Sequence, residues 1–309
     1  MTRKLILDVD TGIDDAIGII LAAKSRQFDI LGITTVNGNV SLETATRNTC
    51  KILDLLNRQD ISVIKGANAP LLRNSYFEHR VHGEDGLGGA LKNVLNKKQP
   101  DEGFAPDFMI HSILNFSGEV ILVMTGPLTN LALALKKCPE IAKHVKEVIF
   151  MGGVVHGAGN VTPTAEYNFY VDPEAAKIVL QAGFKSITQV GLDVTRKALL
   201  TEEHIKRIEN RTLREYISDS IADYREKYFQ RNGVRACAMH DPLAVAIAVQ
   251  KNLVSTETYY ADVETKSELC DGQLVCDIQN RLMNPANLQV CSSVNVDEFF
   301  ELFIRIVNS

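Results

Sequence analysis

The chain has 309 residues, of which 45% are hydrophobic and 23% charged, and its net charge is −5 at pH 7. This is ordinary globular composition with ample material for an apolar core. It contains no block of like charge, so neither nucleic acid nor a membrane surface is expected as a partner.

In chain order, a β-branched run over residues 4–9 leads to a helical pattern over 14–24, and a strand over 30–36 leads to a helix over 41–57. The pattern repeats with a strand over 120–124 and a helix over 127–136, then a strand over 145–151 and a helix over 173–182, followed by a strand over 186–190. Such alternation predicts repeated βα units around a mostly parallel sheet. Several strands are apolar at nearly every position, as when helices cover both faces. The helices over 127–136 and 173–182 each begin with Pro, which suits a first helical turn. Beyond Asp193 the pattern becomes helical, over 202–209, 213–229 and 241–249; short strands over 258–290 precede a closing helix over 296–307. No Pro/Gly/Ser-rich linker interrupts the chain. The expectation is one α/β domain spanning residues 1–309, with three layers, a mostly parallel central sheet and a Rossmann-like core.

Cys50, Cys138, Cys237, Cys270, Cys276 and Cys291 form no C-x-x-C pair, so they are read as reduced, mostly buried thiols. The apolar run from Leu5 to Val9 is too short for a signal peptide, and no run approaches the roughly 20 residues that span a bilayer. A cytoplasmic location is expected.

Ligands of parallel α/β sheets bind at the carboxyl ends of the strands. The unusual residues cluster in those loops. Asp8, Asp10, Asp14 and Asp15 crowd the end of the first strand. Helix capping and the helix dipole account for Asp14 or Asp15 but not comfortably for all four. Converging carboxylates repel unless protons or a cation intervene, so a hard divalent metal is the natural resolution.

The segment Asp8-Val-Asp10-Thr-Gly-Ile-Asp14-Asp15-Ala16 resembles the N-terminal fingerprint of the inosine-uridine preferring nucleoside hydrolase family. Asn37-Gly-Asn39, His82 to Gly88, Thr125 to Asn130, Met151-Gly-Gly, Glu166-Tyr-Asn168 with Val171-Asp-Pro-Glu-Ala, and His240-Asp241-Pro resemble further family segments, in family order. The resemblance implies hydrolysis of the N-glycosidic bond of ribonucleosides to free base and ribose. It also implies a Ca2+ ion held by Asp10, Asp15, Asp241 and the Thr125 carbonyl, with Asp10 as general base. Asp14, Asn39, Asn160, Glu166 and Asn168 would bind the ribose hydroxyls, with Met151 nearby. His240 would protonate the leaving base, and His82 would stand near it. By the same resemblance the segments 82–89 and 224–233 are lids, and the protein is a homodimer or homotetramer.

Plainer readings stand beside these. Tyr224 and Tyr228, at i, i+4, either contact the base or only pack together. His82 keeps a sizeable structural reading beside the functional one, whereas His240 has Asp241 beside it to hold it at the site. Asp8-Val-Asp10-Thr11 also matches the nucleophile loop of haloacid dehalogenase phosphatases, but His240-Asp241-Pro and Glu166-Tyr-Asn168 have no place in that scheme. A non-catalytic nucleoside or ribose binder would need neither the base nor the acid. By the same resemblance, a histidine at 240 implies uridine and inosine as substrates, with cytidine as a further candidate, and leaves purine against pyrimidine preference open.

Overall fold

The computed structural model describes residues 2–309. Its strands are β1 (Arg3–Val9), β2 (Phe28–Thr35), β3 (Val63–Lys65), β4 (Val120–Met124), β5 (Glu147–Met151), β6 (Ile187–Val190), β7 (Leu199–Thr201), β8 (Ala236–Ala238), β9 (Val254–Tyr259), β10 (Ala261–Val263), β11 (Leu274–Cys276) and β12 (Leu288–Val294). Eight of them form the central sheet in the order β3-β2-β1-β4-β5-β6-β12-β9. Every pair in it is parallel except β12 with β9 at one edge. β7 with β8 and β10 with β11 are separate antiparallel pairs.

Side-chain alternation divides the sheet's apolar residues between two layers. Leu5, Leu7, Val9, Ile121, Val123 and Ile149 enter one core; Ile6, Leu122, Met124, Val148 and Phe150 enter the other. The expected three-layer α/β architecture with a mostly parallel sheet is present. Truncating a fully buried member such as Leu122 to Ala costs about 2–5 kcal/mol. Helices Ile13–Lys24 and His240–Val249 are buried along most of their length, so they lie within a layer. They pack together, and a Cβ added at Gly18 would lie 3.7 Å from Asp241 Cβ. That approach brings Asp241 alongside the first loop. Because β1 is flanked by β2 and β4, the chain's course reverses there, and the loops after β1 and β4 open the crevice in which α/β folds hold ligands.

Several elements depart from the sequence expectations. β3 and the helix Ala105–Asn115 were not anticipated; three residues are too few to display a period. The single helix expected over 213–229 is two, Arg211–Ser220 and Ala222–Asn232. The break contains neither Gly nor Pro. It lies where the Ser220 carbonyl abuts Gly88, at which any Cβ would come within 2.3 Å of that oxygen. The helix expected to start at Pro127 starts at Thr129, whereas Pro173 does open its helix, capped by Asp172. The glycine-rich segment 82–89 follows the helical turn His79–His82. Only three of the six free thiols, Cys50, Cys237 and Cys291, are buried.

Candidate active site

The carboxylates after β1 accept hydrogen bonds from backbone and side-chain donors in the loops after β1, β2 and β4. Asp10 is fully buried, and its Oδ2 accepts the Asn39 backbone N–H at 2.6 Å. Gly38 permits this contact, since a Cβ there would lie 2.0 Å from Asp10 Oδ2. Asp15 Oδ2 accepts from Gly12 N at 2.9 Å and Asn39 Nδ2 at 3.2 Å, while its Oδ1 accepts the Thr125 hydroxyl at 2.7 Å. The first turn of helix Ile13–Lys24 carries Asp14 and Asp15, and the first turn of helix His240–Val249 carries Asp241. One carboxylate oxygen from each of Asp14, Asp15 and Asp241 lies within 4.8 Å of the others.

Burial, reinforced by Asp15, raises Asp10 well above the usual carboxylate range and Asp14 to about 7. Asp241 is likewise driven well up by burial and by Asp14, Asp15 and Asp10. Asp10 Oδ1 is buried without a hydrogen-bond partner. Three carboxylate oxygens this close, from Asp14, Asp15 and Asp241, suit a hard divalent cation that takes six to eight oxygens, and Asp10, with its unpartnered oxygen, is joined to that trio through Asn39. Asp8 is not part of the trio; its Oδ1 accepts from Thr34 and from Asn130 Nδ2.

On the other wall, Asn168 Nδ2 donates to the Thr125 carbonyl at 2.8 Å and to the Met151 carbonyl at 3.1 Å. Glu166 caps helix Tyr167–Val171, accepting from Asn168 N at 3.0 Å and from Gly153 N at 2.8 Å. Burial raises its pKa to about 7 against those N–H bonds. The structure therefore brings Asp10, Asp14, Asp15, Asn39, Thr125, Met151, Glu166, Asn168 and Asp241 into one connected group. Asn160 lies at the exposed rim, its Oδ1 accepting the Tyr167 N–H at 2.9 Å.

His82 is buried, and its Nδ1 accepts the Ile13 N–H at 3.0 Å, which leaves the neutral ring's proton on Nε2. Its structural task is thus to cap the helix that carries Asp14 and Asp15, 4.0 Å from Asp14 Oδ1. His240 is half-buried, with Nδ1 2.7 Å from the Thr195 hydroxyl. Burial lowers His82 to about 3 and His240 to about 4, with His240 a further cause for the first and Arg196 for the second. Tyr224 and Tyr228 stack at 6.0 Å on helix Ala222–Asn232, which buries no residue. Their i, i+4 packing is real, and Tyr224 also rests against the core.

The profile of the inosine-uridine preferring nucleoside hydrolase family matches residues 5–301. The chain belongs to that family. Membership makes it an enzyme that hydrolyses the N-glycosidic bond of ribonucleosides. The inosine-uridine preferring nucleoside hydrolase of Crithidia fasciculata is 36% identical over 309 residues, covering 98% of this chain and 97% of its own. A pyrimidine-specific ribonucleoside hydrolase of Shewanella woodyi is 39% identical over 316 residues, covering 99% and 98%. Among solved structures, a plant nucleoside hydrolase superposes with a TM-score of 0.94 at 32% identity over the whole of both chains. The purine-preferring ribonucleoside hydrolase of Gardnerella vaginalis gives 0.91 at 33% identity, covering 99% and 98%.

Seen as a nucleoside hydrolase, the chain has supporting residues that sequence reasoning passed over. The Tyr167 hydroxyl donates to the Tyr76 carbonyl at 2.6 Å, tying the segment before His82 to the Glu166 wall. Asn130 bonds Asp8, the Thr35 carbonyl and the Ala67 N–H, joining β1, β2 and the loop after β3 beneath the carboxylates. Both residues lie inside segments that had been singled out, so the signal was present without its meaning. Thr195, the partner of His240, lies in no such segment.

Proposed function

We propose that this enzyme cleaves uridine and inosine, with cytidine as a further substrate, to the base and ribose with Ca2+ as its cofactor. The observation that carries the reading is the buried group of four carboxylates, Asp10, Asp14, Asp15 and Asp241, at the carboxyl end of β1, with one oxygen of Asp10 left without a partner. Asp10, Asp15 and Asp241, with the Thr125 carbonyl, would hold the ion. Thr125 presents a carbonyl whose second lone pair remains beside the Asn168 amide. Bound there, Ca2+ would supply positive charge for the ribose diol and would lower the pKa of the attacking water.

Asp10 takes the proton from that water as it attacks the anomeric carbon. Asp14, Asn39, Asn168, Glu166 and Asn160 accept from and donate to the ribose hydroxyls, and Met151 covers the sugar. The carboxylates around the sugar stabilise positive charge as the glycosidic bond lengthens. His240, when its ring carries both protons, would donate the Nε2 proton to the departing base and return to the neutral ring, with His82 and the Tyr224–Tyr228 pair assigned to the base side of the site. The segments 82–89 and 224–233 close over the base and exclude water. Among the described residues no helix is long and apolar enough to cross a membrane. We place the enzyme in the cytoplasm as a homodimer or homotetramer of one-domain subunits.

The test is ribose release, measured as reducing sugar in phosphate-free buffer, from uridine, inosine, cytidine and 2′-deoxyuridine. Uridine and inosine should lead. The deoxynucleoside should fall by about 10^4-fold in kcat/KM, because losing one hydroxyl strands buried polar partners. Equal turnover of uridine and 2′-deoxyuridine would refute the ribose-binding assignment.

A further inference from the structure

The proposed acid, His240, makes one hydrogen bond through its ring, Nδ1 to Thr195 Oγ1 at 2.7 Å. Thr195 is fully buried. A buried hydroxyl without a partner costs free energy, and this side chain meets its need on the imidazole. Nε2 is not among the buried polar atoms lacking partners and forms no bond within the protein, so it is accessible and free to meet a ligand. The hydroxyl both donates and accepts. It therefore keeps its bond to Nδ1 whether that nitrogen carries a proton or a lone pair.

The element bearing Thr195 is itself fixed. It is the short helix Leu192–Thr195 after β6, and its residues reach the opposite rim of the site. Asp193 accepts the backbone N–H of Val155 at 2.9 Å and of His156 at 2.7 Å. Arg196 donates to the carbonyls of Ala158 at 2.8 Å and Gly159 at 2.9 Å. The loop so clamped leads directly to Asn160. One turn thus anchors the sugar-side rim and the base-side imidazole together.

We infer that Thr195 is a positioning residue for leaving-base protonation: its hydroxyl fixes the plane of the His240 ring so that Nε2 is presented to the nucleobase. This rests on the assignment of His240 as the acid. Thr195→Val keeps the shape and removes the hydroxyl, while Thr195→Ser keeps the hydroxyl. Thr195→Val should lower kcat for uridine by about 10-fold, the worth of one hydrogen bond in a transition state, and leave a p-nitrophenyl riboside, which needs no proton donor, within about 2-fold. Thr195→Ser should restore uridine turnover.

A readout independent of turnover accompanies the kinetics: long-range proton–nitrogen spectra of the His240 ring, which should change in Thr195→Val and return in Thr195→Ser. Unchanged ring signals in Thr195→Val would overturn the contact. Changed signals with equal losses on both substrates, or with no loss on either, would overturn the positioning role. If the wild type releases no ribose from any nucleoside, the hydrolase reading fails instead, and the spectra still report whether the hydroxyl holds the ring.

Discussion

Removing the metal should make the enzyme's stability depend on pH in a way the loaded enzyme does not share. With no cation present, burial and mutual repulsion raise Asp14 to about 7 and drive Asp10 and Asp241 well above the carboxylate range. A group whose folded pKa is raised contributes stability that is fully present below its unfolded value. That contribution is lost as pH rises through the folded one. For Asp14, moving from 3.8 to about 7 corresponds to an order of 4 kcal/mol across that window. At about 2 °C per kcal/mol for a chain of this size, the metal-free protein should lose roughly 8 °C in Tm between pH 4 and pH 8. A bound cation would replace the protons as counter-charge, so the loaded protein should lose this contribution and keep only the pH dependence that Glu166 and the two histidines give both forms.

His82 and His240 act with the opposite sign. Their folded values, lowered to about 3 and about 4, give stability that is present above their unfolded value near 6.5 and lost as pH falls through the folded one. This is common to both forms and cancels in the difference. Thermal unfolding in paired EDTA and Ca2+ samples at pH 5, 6, 7 and 8 measures the gap directly. It should widen with pH. A gap that is constant, or that narrows, would refute the claim that the ion relieves repulsion among these carboxylates.

Asp10→Ala should abolish turnover and weaken Ca2+ binding measured by calorimetry; full activity would remove Asp10 from both roles. In Gly38→Ala the new methyl would lie 2.0 Å from Asp10 Oδ2, so kcat should fall by about 100-fold with the far-ultraviolet circular dichroism unchanged. A near-normal rate would show that Asp10 tolerates displacement. His240→Ala should harm uridine far more than a p-nitrophenyl riboside, and equal losses would make His240 a residue that orients sugar or metal.

Most of this fold was legible because the parallel core writes itself in β-branched runs: the strand over 120–124 and the closing helix Val296–Val307 stand where their patterns place them. The legible part of the site lies in the loops that follow those strands. There, four aspartates in eight residues have no comfortable explanation as caps alone. What stayed hidden depends on contacts far apart in sequence. The bond from Ile13 N to His82 Nδ1 spans 69 positions, so nothing local marks His82 as a helix cap. Thr195 meets His240 across 45 positions from within an unremarkable short helix. The division of the helix expected over 213–229 falls where the Ser220 carbonyl closely approaches the backbone at Gly88, a contact between residues 132 positions apart. Tyr224 and Tyr228 do stack on each other, one of the two readings that their i, i+4 spacing left open.

The most direct measurement of the central claim is ribose release from uridine as Ca2+ is titrated into enzyme stripped of divalent metal. Activity that vanishes on stripping and returns in proportion to one bound ion per chain is the predicted result. Undiminished hydrolysis by the stripped enzyme would contradict the account, since the four buried carboxylates would then work without the cation to which their arrangement points.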